Sequence, residues 1–78
     1  MATTSVRIPK AGQAMTEGTI GEWLVADGAS VDAGETIYRL ETEKVEIDVE
    51  APTAGTITIV EAAGTTHDVG TEIARIEH

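Results

Sequence analysis

The chain repeats itself. Gly28, Asp32, Gly34, Ile37, Arg39 and Glu41 return as Gly64, Asp68, Gly70, Ile73, Arg75 and Glu77 at a constant spacing of 36 residues, and Gly18-Thr19-Ile20 returns as Gly55-Thr56-Ile57. Repetition of this kind implies two copies of one strand-turn-strand unit, neither of which can bury its apolar face alone. Each copy by itself would also leave sheet edges bare, so the copies are expected to pair about a pseudo-two-fold axis. Gly12 and Gly21, with Pro9 and Pro52, add further breaks, and the runs between the breaks are short. The β-prone runs are 6–8, 18–25, 36–40, 45–49, 55–60 and 72–76, and none has the length or spacing of a helix. An all-β domain over 1–78, with its core at about 6–77, is the fold these runs allow.

Between the two copies lies Glu41-Thr42-Glu43-Lys44-Val45-Glu46-Ile47-Asp48-Val49-Glu50. Alternation after Lys44 sets Val45, Ile47 and Val49 on one side and Glu46, Asp48 and Glu50 on the other, the mark of a half-buried strand. Ile37, Tyr38, Arg39 and Leu40 precede it as a second strand, so Thr42-Glu43-Lys44 is expected at the tip of a hairpin. The place equivalent to this tip in the second copy falls at the C-terminus, which would set tip and chain ends at opposite ends of a flattened barrel. A lysine on a turn is often no more than a guard against edge-to-edge pairing. Reactivity of its own is not expected of Lys44, because Glu41, Glu43 and Glu46 favour the protonated ammonium. If it is modified, an enzyme must do it.

Composition closes several routes. The absence of cysteine removes disulfides, thiolate nucleophiles and cysteine-ligated metals from this chain. With no Phe, one Trp and one Tyr, the core must come mostly from Val, Ile, Leu and Ala. Five basic residues against fourteen acidic ones leave a net charge of −9, which argues against nucleic acid and anionic membrane surfaces as partners. Residues 1–7 have no apolar run of a signal peptide, and no stretch reaches membrane-spanning length, so a cytoplasmic protein is expected.

Pro9-Lys10-Ala11-Gly12, Met15-Thr16-Glu17-Gly18-Thr19-Ile20, Glu41-Thr42-Glu43-Lys44-Val45 and Val49-Glu50-Ala51-Pro52 with Gly55 together resemble a lipoyl domain, from about residue 7 to residue 76. Such domains belong to the acyltransferase component of 2-oxo acid dehydrogenase complexes. The resemblance implies a barrel-sandwich hybrid of two small antiparallel sheets, with lipoic acid joined by an amide to Lys44. It further implies a cycle of reductive acylation by a thiamine-dependent 2-oxo acid decarboxylase, transfer to coenzyme A at an acyltransferase core, and reoxidation by the flavoprotein dihydrolipoamide dehydrogenase. Lipoate ligase or lipoyl transferase would make the attachment. Glu41, Thr42, Glu43, Val45 and Glu46 become candidates for recognition by that enzyme and by partners. Gly12, Gln13 and Ala14 lie in the loop that the family uses in partner choice. Biotin-accepting relatives place methionine on both sides of the lysine, whereas Glu43 and Val45 flank it here. Glu43 stands for a more usual aspartate and Ala11 for a common leucine.

Other constellations are weak. His67-Asp68 is expected in a 64–70 turn as a surface contact, Ser5 and Ser30 have no base partner, and the glycines lack the strand-loop-helix context of a phosphate site. Trp23 is expected to pack on a sheet face. No catalytic or metal residue is assigned, and the expected role is that of a carrier without catalysis of its own. A biotin carrier and an unmodified adaptor module stay open as alternatives. The absence of an Ala/Pro-rich linker after Ile76 points to a domain excised from a longer chain, with a small free-standing carrier as the alternative.

Overall fold

A computed structural model describes residues 2–10, 15–43 and 45–78. It contains eight strands: β1 (Thr3–Arg7), β2 (Glu17–Trp23), β3 (Ser30–Val31), β4 (Thr36–Glu41), β5 (Glu46–Glu50), β6 (Gly55–Ile59), β7 (Thr66–Asp68) and β8 (Glu72–Glu77). Among the described residues there is no helix, hence none long and apolar enough to cross a membrane. The strands form two antiparallel four-stranded sheets, ordered β1-β8-β6-β3 and β5-β4-β2-β7. Together they make the expected barrel-sandwich, 36 × 20 × 19 Å.

The repeat is a true structural two-fold. Shifting by one copy carries β4 onto β8, β2 onto β6, β3 onto β7 and β5 onto β1, which turns each sheet order into the other. The hydrogen bonds obey the same operation. Gly28 N–H donates to Ile57 O at 2.7 Å, and Gly64 N–H to Ile20 O at 2.6 Å. Leu24 N–H donates to Ile37 O at 2.8 Å, and Val60 N–H to Ile73 O at 2.9 Å. Gly34 N–H donates to Ala51 O and Gly70 N–H to Ile8 O, both at 2.9 Å. Gly34 and Gly70 hold φ of 85° and 90°, a conformation that costs an L side chain strain, which is why glycine recurs there.

The core lies between the sheets. Ile8, Ile20, Val31, Ile37, Tyr38, Leu40, Ile57, Ile73 and Ile76 are its largest fully buried side chains, with Met15, Trp23, Ile47 and Val49 packed at its margin. Trp23 sits on a sheet face as expected, tilted against Tyr38 with ring centroids 5.0 Å apart, and its indole N–H donates to Glu61 O at 2.9 Å.

Three expectations need correction. His67 and Asp68 lie on β7, opposite Gly18 and Glu17, and not in a turn. Neither β7 nor β3 was among the expected runs, because a strand of two or three residues has no alternation to read. The first strand starts at Thr3 and not at Val6: the hydroxyl run 3–5 pairs with β8, and β-branched threonines suit that edge position. Finally, Val45 is not part of the strand and is not buried with Ile47 and Val49. It precedes β5 and is 52% exposed, while they pack against the core.

Candidate functional site

Strands β4 and β5 are joined by the 42–45 turn. Their last directly opposed pair is Glu41 and Glu46, two carboxylates across the ladder. Beyond it Thr42 N–H donates to Val45 O at 2.9 Å. The Thr42 hydroxyl lies 3.2 Å from both Val45 N and Val45 O, accepting from the first and donating to the second. Glu43 and Lys44 are the two central positions by sequence. Lys44 itself lies outside the described residues, as do Gly12, Gln13 and Ala14 of the candidate partner loop.

The structure brings Glu41, Thr42, Glu43, Val45 and Glu46 around one shallow, open depression at the turn. Glu43, Val45 and Glu46 are exposed, whereas Glu41 and Thr42 are half-buried. Glu41 is held by a residue the sequence reading did not single out. Its side chain lies flat over Gly21, where a Cβ would come within 2.7 Å of the Glu41 carboxylate. Gly21 falls at an irregularity of the β2–β4 ladder, between Ile20 opposite Leu40 and Glu22 opposite Arg39. It is the extra residue of a bulge. A signal for it was present, since Gly18-Thr19-Ile20 repeats at 37 residues and every later pair at 36.

Directly opposed residues share a sheet face, so the register also sorts the charges. The outer face of β5-β4-β2-β7 carries Glu17, Glu22, Glu41, Glu46, Asp48, Glu50 and Asp68 against Arg39 alone. Arg39 lies 3.9 Å from Glu22 and 3.6 Å from Asp48, a ladder of charges across three strands. The outer face of β1-β8-β6-β3 instead balances Arg7 and Arg75 against Glu72 and Glu77 among hydroxyl residues. On that sheet the hydrogen bond from Arg75 holds the Glu72 carboxyl below the usual carboxylate range. In the interior, burial pushes the Tyr38 phenol up to about 12.

Nothing else among the described residues competes as a site. His67 Nε2 lies 2.8 Å from Thr65 Oγ1 and 3.5 Å from Glu61 Oε2, a local brace of the loop before β7. No group of three or more His, Asp or Glu among them is arranged to hold a metal ion. What the arrangement can do is present a short, acidic, solvent-facing turn on a stiff β scaffold. Two pseudo-symmetric sheets offering such a turn define a display module of the barrel-sandwich class.

Comparison with known proteins names the class further. The profile of the family Biotin_lipoyl, described as "Biotin-requiring enzyme", matches residues 4–76. The chain belongs to this biotin- and lipoyl-attachment family. It is 43% identical over 76 residues to the dihydrolipoyllysine-residue acetyltransferase component of the pyruvate dehydrogenase complex of Corynebacterium glutamicum, covering 96% of this chain and 11% of the relative. It is 44% identical over 70 residues to the dihydrolipoyllysine-residue succinyltransferase component of the 2-oxoglutarate dehydrogenase complex of Staphylococcus saprophyticus, covering 88% of this chain and 16% of the relative. It is 41% identical over 78 residues to the lipoamide acyltransferase component of the branched-chain alpha-keto acid dehydrogenase complex of Bacillus subtilis, covering 99% of this chain and 18% of the relative. The chain thus spans less than a fifth of each of these three relatives. All three names specify lipoyl chemistry, which sets the likeness on the lipoyl side of the family and away from biotin carriage.

Proposed function

We propose that residues 1–78 act as one lipoyl-carrier domain, with lipoic acid joined as an amide to Lys44. The observation that carries this reading is the position of Glu41-Thr42-Glu43-Lys44-Val45: its described residues line an open turn between two paired strands. A covalent arm needs such a site, since it must leave the protein surface and reach elsewhere. When bound, the group supplies a disulfide in a five-membered ring, strained away from its relaxed dihedral and so easily opened.

The chain's own part is mechanical and electrostatic. The paired strands β4 and β5 hold the turn clear of the core, and the tether gives each partner active site a local concentration of order millimolar. Amidation removes the Lys44 charge, leaving Glu41, Glu43 and Glu46 to set the potential of the turn. Rim charges of that kind act on association rate more than on affinity. The partners proposed are lipoate ligase or lipoyl transferase for attachment, then a thiamine-dependent 2-oxo acid decarboxylase, an acyltransferase core and dihydrolipoamide dehydrogenase. Gly12, Gln13 and Ala14 are proposed to bear on the choice among decarboxylases.

Intact mass after incubation with lipoate, ATP and a lipoate ligase tests the reading. One lipoyl addition is expected, and it should vanish in Lys44→Ala. Addition by a biotin ligase instead would assign the chain to biotin carriage. No addition by either enzyme would leave an unmodified adaptor.

A further inference from the structure

We infer that Thr42 is a positioning residue for attachment at Lys44, its hydroxyl standing in for a backbone carbonyl to close the turn; the inference rests on the lipoyl reading above. The pseudo-two-fold supplies the comparison. Under it Thr42 corresponds to His78 and Val45 to Ala2, because β4 maps onto β8 and β5 onto β1. At the chain ends, the pair is joined by two backbone bonds, Ala2 N–H to His78 O at 2.7 Å and His78 N–H to Ala2 O at 2.8 Å. At the turn, Thr42 N–H to Val45 O, at 2.9 Å, reproduces the second of these. The place of the first is taken by a side chain: Val45 N–H donates to Thr42 Oγ1 at 3.2 Å.

Turn chemistry explains the exchange. A two-residue hairpin connection favours a type I′ turn, which needs positive φ at both central positions and hence Asn-Gly or Asp-Gly. Here the central residues are Glu43 and Lys44, and no described non-glycine residue has positive φ. Glu43 therefore lacks the positive φ that turn requires, and a short hydroxyl side chain at position 42 supplies the acceptor, as Ser and Thr do in turns. The same hydroxyl donates to Val45 O, so one side chain clasps both polar groups of the residue that follows Lys44. A valine at position 42 fills the same volume but can make neither bond.

The consequence is kinetic. A ligase that reads one turn shape binds only the fraction of molecules that hold it, so loosening the clasp raises KM and leaves kcat unchanged. Thr42→Val should lower kcat/KM for lipoylation by between about twofold and tenfold, the span set by the net worth of the Val45 N–H bond, since Val45 O keeps its bond from Thr42 N–H. Amide exchange at Val45, measured in the unloaded domain without ligase, should quicken in the same variant. Thr42→Ser should restore both.

Wild-type lipoylation at Lys44 is the control for the carrier reading: if it fails, that reading fails first. If wild type is loaded and Thr42→Val is loaded equally well, the positioning role is refuted. If lipoylation falls but Val45 exchange is unchanged, the hydroxyl contacts the ligase directly and the clasp is again refuted. Circular dichroism checks folding, and Thr42→Ala serves in the same comparison if Thr42→Val does not fold.

Discussion

Tyr38 is fully buried, and among the described residues its hydroxyl has no hydrogen-bond partner. A buried phenol in that state has lost its water contacts without replacement. Tyr38→Phe is therefore expected to be neutral or to stabilise by about 1 kcal/mol in urea denaturation. The alkaline behaviour follows from the raised phenol. A phenol whose pKa goes from 10 to about 12 on folding adds no pH dependence below pH 10, where it is protonated in both states. Stability is lost as pH rises from 10 through about 12, because the unfolded chain ionises first. Wild type should lose stability over this window, on the order of 3 kcal/mol, and Tyr38→Phe should lose less. The sequence shows this residue only in part. Its alternation marks Tyr38 as strand, but an amphipathic ring can sit at a rim or in a core, and only packing against Trp23 decides between them.

Strand β5 illustrates how register stores electrostatic tension. Glu46 faces Glu41 directly, Asp48 faces Arg39, and the first pair is unfavourable while the second is not. Glu46→Gln should raise stability by roughly 0.2–1 kcal/mol at low salt. Melting curves in low and high salt check this, since screening must shrink the gain. No gain at low salt would mean that the two side chains splay apart. Much of this element was legible beforehand, because Ile47 and Val49 alternate cleanly with Glu46, Asp48 and Glu50. Val45 defeated the pattern: alternation alone cannot tell the last turn residue from the first strand residue. The clasp between Thr42 and Val45 ends the turn one residue later than the pattern implied. The Gly21 bulge was half legible, as a change of repeat spacing from 37 to 36 with nothing to say which strand it bent.

At the scale of the molecule, the duplication determined most of the architecture. Strand pairing between β2 and β7, or β6 and β3, joins residues far apart in sequence and leaves no local trace, yet symmetry generates each from the other. It also sets Ala2 and His78 where Val45 and Thr42 stand. Joining His78 to Ala2 through Asn-Gly should therefore give a cyclic protein with the same fold, since that dipeptide suits a two-residue connection. Its urea midpoint should rise, because closing the chain removes entropy from the unfolded state. A midpoint that falls would mean that the ends are not paired as a hairpin.

The two sheets match in backbone and differ in charge, and this sets up an electric dipole between their outer faces. The sheet containing β5 presents seven carboxylates and one guanidinium outward, the other two of each. In the field of a positively charged body such an object feels a torque as well as a pull. Rotational diffusion is then biased during approach, and the face that carries β4 and β5 is turned forward before any contact forms. Salt weakens that alignment within a Debye length of about 10 Å at 0.1 M, so orientation, like attraction, becomes a function of ionic strength.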